Sequence, residues 1–141
     1  MHSEFRLILS LDTNVMVDII NGRRPAVRER YDKAVADGSR MVTCVIAAHE
    51  LIYGALVSQR PDVQRAVVDA FLDGLEIVDW THGDAVAAAQ IKAGLKRRGT
   101  SIGEHDLLIA GQAFNRGWSV VSANLRHFLR VDTLDVHDWT A

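Results

Sequence analysis

A chain of 141 residues with 48% hydrophobic and 24% charged residues has the make-up of one globular domain, 1–141, able to bury its own core. Its net charge of −2 supplies no overall basic field, so contact with a polyanion must come from local patches. The single cysteine, Cys44, excludes an intrachain disulfide, and no apolar run reaches the roughly 20 residues of a membrane span.

The start, "MHSEFRLILSLD", lacks a basic opening before a long apolar core, so no signal peptide is expected and the chain reads as cytoplasmic. Phe5 to Leu11 is apolar on both alternating faces, the pattern of a strand covered on both sides. Thr13 to Ile20 has helical spacing and stops at Asn21-Gly22. Pro25 opens a second helix that Gly38 ends. Met41 to Val45 reads as a second strand, with Cys44 as a small buried apolar residue. "AAHELIYGALVSQ" is a helix from Ala47, and Pro61 starts another, which runs to Gly74. Leu75 to Val78 is a third strand. Thr81, followed three residues later by Asp84, starts the helix that Gly99 ends. Ser101 and Glu104 have the spacing of a capping box for the helix "IGEHDLLIAGQAFNRG", closed by Gly117. "WSVVS" is a fourth strand, and "RVDTLDVHDW" is expected to hold a short fifth. Strands alternating with helices predict an α/β fold with a central, mostly parallel sheet of four to five strands flanked by helices.

Three acids sit where apolar residues are expected. Asp12 leaves the end of the first strand, where ligand sites of open parallel sheets lie; it is also a favoured residue type for capping the next helix. Glu50 shares a helix face with Ala47, Gly54 and Val57, and Asp106 has Ile102, Ile109, Ala110 and Ala113 at helical spacing around it. A buried ion pair could explain Glu50 or Asp106 singly. Three separate cationic partners would be a poor bargain, because buried pairs only about break even. One hard divalent cation, Mg²⁺ with Mn²⁺ as substitute, answers all three through oxygen ligands. A zinc-protease site fails because Tyr53 stands four residues after His49, where HExxH needs histidine. His105 and His127 flank the acids, and a surface or supporting role suits them better than ligation of a hard ion.

The order of these pieces resembles the PIN-domain nucleases, and among them the VapC-type toxins of toxin–antitoxin pairs. The matching stretches are "LDTNVMVDI", "AAHELIYGA", "IGEHDLLIAGQA" and "VVSANLRHF". The resemblance covers nearly the whole chain and implies a PIN-like three-layer fold and a Mg²⁺-dependent endoribonuclease acting as a toxin. By that resemblance Asp12, Glu50 and Asp106 hold the metal. Asn124 joins them in the catalytic set, at a position where the family often has a fourth acid. Thr13 and Asn14 match the family's "DTN", with Asn14 expected to tie down the acid-bearing loop, and Ser122 takes a hydroxyl position beside the metal. The family implies water as the nucleophile and 5′-phosphate and 3′-hydroxyl products. It also implies a homodimer and inhibition by a small cognate antitoxin, with the helices over Ala47–Val57 and Val63–Leu72 as interface candidates. Lys96, Arg97, Arg98, Arg126 and Arg130 are the local cations expected to border the acids and grip RNA phosphates.

Two rivals stand beside this reading. A catalytically weak PIN-fold partner of an antitoxin repressor complex, binding nucleic acid, fits the neutral Asn124. A phospho-receiver domain would use Asp79, after "LEIV", with Asp12 nearby. Neither the identity of the RNA nor that of the antitoxin is written in these motifs.

Overall fold

The structure is a computed structural model and describes residues 7–123 and 125–140. Five strands form its sheet: β1 (Ile8–Leu11), β2 (Arg40–Cys44), β3 (Glu76–Val78), β4 (Ser119–Val121) and β5 (Val136–His137). They lie in the order β3-β2-β1-β4-β5, and every pairing is parallel. Consecutive residues of the inner strands are buried without alternation: Leu9, Ser10 and Leu11 of β1, and all three residues of β4. Only a sheet covered on both faces buries successive side chains in this way.

The cover comes from seven helices among the described residues: α1 (Thr13–Asn21), α2 (Pro25–Ala36), α3 (Val45–Leu56), α4 (Pro61–Asp73), α5 (His82–Arg97), α6 (Glu104–Arg116) and the short α7 (Leu125–Phe128). The turn residues do what their chemistry predicts. Pro25 and Pro61 open α2 and α4 in the first turn, and Gly22 and Gly117 end α1 and α6 in the left-handed region, at φ 66° and 71°. Gly111 has a different reason to be glycine. A Cβ there would stand 2.6 Å from the Ala88 side chain and 2.8 Å from its Cα, so α5 and α6 pack at a distance only a missing side chain allows.

Chain order around the sheet positions the site. From β1 the chain winds outward through β2 to β3, then returns to place β4 on the other flank of β1. The winding direction therefore reverses between β1 and β4, and the crevice beyond the carboxyl ends of two such strands is where open parallel sheets bind ligands. Asp12 follows β1 and Ser122 follows β4. The ladder is still continuous there, because Asp12 N–H donates to the Val121 carbonyl at 3.1 Å.

Some boundaries differ from the sequence reading. Cys44 ends β2 and Val45 already begins α3, because the chain turns directly from strand into helix and a β-branched residue at a helix start costs little. The capping box expected at Ser101 and Glu104 is not made. The helix begins at Glu104 itself, with Gly103 as an N-cap that offers no side chain; Glu104 reaches Lys92 instead, at 3.4 Å. The capping box exists at α5, where Thr81 and Asp84 satisfy each other's backbone N–H. β3 is an edge strand with β2 between it and β1, and Asp79 is exposed. It therefore shares no site with Asp12, and the phospho-receiver arrangement does not form.

Candidate active site

Asp12 sits between the last residue of β1 and the first of α1 and is 2% exposed. It is the N-cap of α1, Oδ1 accepting from Val15 N–H at 2.9 Å. Its second oxygen, Oδ2, accepts from the Ser122 hydroxyl at 2.5 Å across the switch point. Capping thus accounts for one oxygen only. Among the described residues no lysine or arginine pairs with Asp12 or with Glu50. Burial pushes the Asp12 carboxyl up to about 7, against the pull of the Ser122 and Val15 hydrogen bonds, and the charges of Asp106 and Glu50 push it further in the same direction. Asp12 therefore feels both of the other acids.

Glu50 comes from the middle of α3 and Asp106 from the first turn of α6; their side chains are 27% and 21% exposed. Glu50 Oε1 accepts from Thr13 Oγ1 at 2.8 Å, which ties α3 to the residue next to Asp12. Its other oxygen, Oε2, lies 2.6 Å from Nδ1 of His105, on α6. Asp106 Oδ2 is hydrogen-bonded to Nδ1 of His127, on α7, at 2.8 Å. Two acids are thus each met by an imidazole, and the most buried of the three, Asp12, is met by none among the described residues. No three Asp, Glu, His or Cys side chains among the described residues stand together as a ready-made metal cluster. The carboxylates are electrostatic neighbours, each held by its own protein partner.

The supporting residues divide. Thr13 and Ser122 anchor acids directly. Asn14 is exposed and makes no side-chain hydrogen bond among the described residues, so the tie expected of it is made by Thr13, Ser122 and the capping bond of Asp12. Asn124 lies outside the described residues. Of the five cations, Arg98 is committed to Asp132 at 3.0 Å and to the Arg130 carbonyl at 2.5 Å, and Arg130 donates to the Ser101 carbonyl at 2.6 Å. These two fasten the end of α5 and the loop before α6 to the segment at 130–132. Lys96, Arg97 and Arg126 are exposed.

Asp84, read from the sequence as part of a helix start, carries a buried network that the sequence reading missed. Asp84, fully buried, receives Arg116 on both oxygens at 3.2 and 3.1 Å, with Gln112 at 3.0 Å and Asn115 at 2.9 Å. Burial alone would raise its carboxyl; Arg116, the Thr81 N–H, Asn115 and Gln112 overcome this and hold it down to about 2. It fastens α5 to α6, and Arg116 and Gln112 also donate to the Asp79 carbonyl. A signal was present: Asp84 continues the stripe Ala87, Ala88, Ile91, Leu95 at helical spacing. Its neutralised state is the opposite of that of Asp12. Cys44 is buried with its thiol pushed up by burial, as a core residue should be.

A groove of roughly 310 Å³ runs beside Glu50 between α1, α3 and α4, lined by Thr13, Val17, Ile20, Leu51, Gly54 and Val68. Of the three acids, Glu50 lines it, at one end of a largely apolar trough.

Comparisons with known proteins place the fold. The family model described as "PIN domain" matches residues 9–134. The "tRNA(fMet)-specific endonuclease VapC" of Salmonella typhimurium is 40% identical over 129 residues, 92% of this chain and 96% of that one. "Ribonuclease VapC2" of Haemophilus influenzae is 36% identical over the same shares. Among solved structures, DNA-bound VapBC from Salmonella typhimurium superposes with a TM-score of 0.86 at 39% identity, covering 94% of this chain and 98% of that one. VapBC2 from Rickettsia felis, bound to a DNA fragment from its promoter, superposes at 0.87 with 28% identity, covering 94% and 99%. With the family model matching residues 9–134 and a relative 40% identical over nearly the full length, this chain belongs to the PIN-domain family.

Proposed function

We propose that this chain is a metal-dependent endoribonuclease, the VapC-type toxin of a toxin–antitoxin pair. The observation that carries the reading is Asp12: a buried carboxyl at a sheet switch point, held near 7 by burial and by two neighbouring acids, with no lysine or arginine paired with it among the described residues. A carboxylate in that state is waiting for a cation. The donor set fits Mg²⁺ or Mn²⁺: it offers carboxylate oxygens from Asp12, Glu50 and Asp106 and hydroxyls at Thr13 and Ser122, without a thiolate. When bound, such an ion would acidify a water and neutralise charge on the phosphate. The protein's share is to present the three carboxylates from β1, α3 and α6. Thr13 and Ser122 fix two of them, and the apolar core behind Asp12 keeps water off that side.

The relatives named for tRNA(fMet) make initiator tRNA the first RNA to test, with Lys96, Arg97 and Arg126 as exposed cations for its backbone. A small antitoxin is the partner, as in the VapBC complexes, and the groove between α1, α3 and α4 suits an apolar segment of such a protein. The apolar outer face of α3, with Val45, Tyr53 and Leu56 exposed beside Ile77 of the edge strand, supports the homodimer that the family implies.

The test uses purified chain with initiator and elongator tRNAs, with and without Mg²⁺. Cleavage that needs the metal, stops with chelator, leaves 3′-hydroxyl ends and disappears in Asp106→Asn is the expected result. A folded Asp106→Asn chain that cuts at the wild-type rate, or a wild-type chain equally active in chelator, overturns the assignment. A chain that binds antitoxin and nucleic acid but cuts nothing would be the silent partner instead.

A further inference from the structure

His105 and His127 do more than border the site. Each stands on a different element from the acid it meets: His105 on α6 touches Glu50 on α3, and His127 on α7 touches Asp106 on α6. Glu50 is thereby occupied on both oxygens, Oε1 by Thr13 and Oε2 by His105. The Thr13 contact comes from the residue adjoining Asp12 and draws Glu50 toward it. The His105 contact comes from the half-exposed side, where the imidazole is 52% exposed. Asp106 is similarly held by an imidazole 34% exposed. A hard cation prefers carboxylate oxygen and has little use for these imidazoles. The acids are not gathered into a cluster among the described residues, and the oxygens that meet His105 and His127 are ones a cation would compete for.

We propose that His105 and His127 are positioning residues that hold the Glu50 and Asp106 carboxylates apart from Asp12 and must release them before a divalent ion is bound. The inference rests on the metal-dependent reading above and adds a competitor built into the chain. Each histidine contact is broken on loading and its energy is subtracted from the binding of the ion. The contacts therefore lower metal affinity while steadying the metal-free protein. A conventional supporting histidine has the opposite effect, because orienting a ligand raises affinity and its loss weakens binding by 10–100-fold. The two roles differ in the sign of one measurement.

That measurement is Mn²⁺ binding to the full-length chain without RNA, by titration calorimetry at pH 8, where ordinary imidazoles are neutral. His105→Phe and His127→Phe keep a ring and remove the nitrogen. Each is expected to tighten Mn²⁺ binding about fivefold, the equivalent of one ordinary hydrogen bond. His127→Asn, whose amide can donate from nearly the same place, is expected to return to the wild-type affinity. Because the His105 side chain is half-exposed, His105→Ala offers a second variant that folds even if a ring in that position does not. Folded variants that bind Mn²⁺ as wild type does, or more weakly, overturn the proposal and leave the metal reading standing. A wild-type chain that binds no Mn²⁺ overturns both.

Discussion

Replacing Asp12 with asparagine tests the central electrostatic claim without any need for RNA. The carboxyl titrates near 3.8 in the unfolded chain and at about 7 in the folded one. Between those values the folded state holds the proton more tightly, so stability falls as pH rises and levels off above about 7. The full difference corresponds to about 4 kcal/mol, at roughly 1.4 kcal/mol per pH unit. Asparagine keeps an oxygen for the Val15 N–H and presents no charge to the core. In chelator at pH 8, Asp12→Asn should therefore be more stable than wild type by about 2 to 4 kcal/mol, or roughly 10 °C in Tm for a chain of this size. The advantage should shrink through pH 6 and 5 and vanish by about pH 4, where both residues are neutral. Urea unfolding across that range reads it directly. An Asn variant less stable than wild type at pH 8, or a gap that does not change with pH, would show that Asp12 is comfortably ionised, and the argument for a missing cation would fail.

Asp84 predicts the mirror image. Arg116→Met should cost about 3 to 5 kcal/mol, because it strands a fully buried carboxylate. Wild type should also lose about 2 kcal/mol as pH falls from 4 toward 2, the window between the unfolded value of 3.8 and the folded value of about 2. Gly111→Ala should destabilise by about 1 to 3 kcal/mol in thermal unfolding, since its methyl meets Ala88 backbone that cannot move without parting α5 from α6. Thr13→Val should lower stability by about 1 kcal/mol, the value of one hydrogen bond. It should reduce RNA cleavage more than Asn14→Ala does, because Thr13 holds Glu50 and Asn14 holds nothing described.

The α/β class was legible because the inner strands are short, largely apolar on both faces and separated from the next by helix punctuation. Pro25, Pro61, Gly22 and Gly117 act in the structure as their dihedral chemistry requires. Sheet order was not legible from the strands themselves, since β3 and β4 read alike as short apolar runs while one is an edge and the other central. The false capping box has a clear cause. Ser-x-x-Glu spacing is satisfied at 101–104, but the helix begins only at Glu104, with Gly103 as its N-cap lying close to the Asp106 and His127 side chains.

Site legibility follows a single physical distinction. Asp12, Glu50 and Asp106 stood out because a carboxylate on an apolar face must be explained by something, and the sequence showed no cation at helical spacing to do it. Asp84 obeys the same rule but hid behind a second role, since a helix-starting aspartate looks already explained. Its cation, Arg116, lies 32 residues away. His105 and His127 read as surface or supporting residues beside the acids, but which acid each meets was not legible: His105 serves Glu50 rather than its neighbour Asp106, which His127 reaches from α7. Adjacent residues on a helix point about 100° apart, so a single turn of α6 sends its histidine to one acid while its aspartate is held from another direction. Buried charge can be neutralised permanently by a guanidinium, as at Asp84, or provisionally by groups that can let go. Only the second arrangement leaves room for a ligand, and that difference, rather than the number of acids, marks the crevice between β1 and β4 as the place where chemistry is expected.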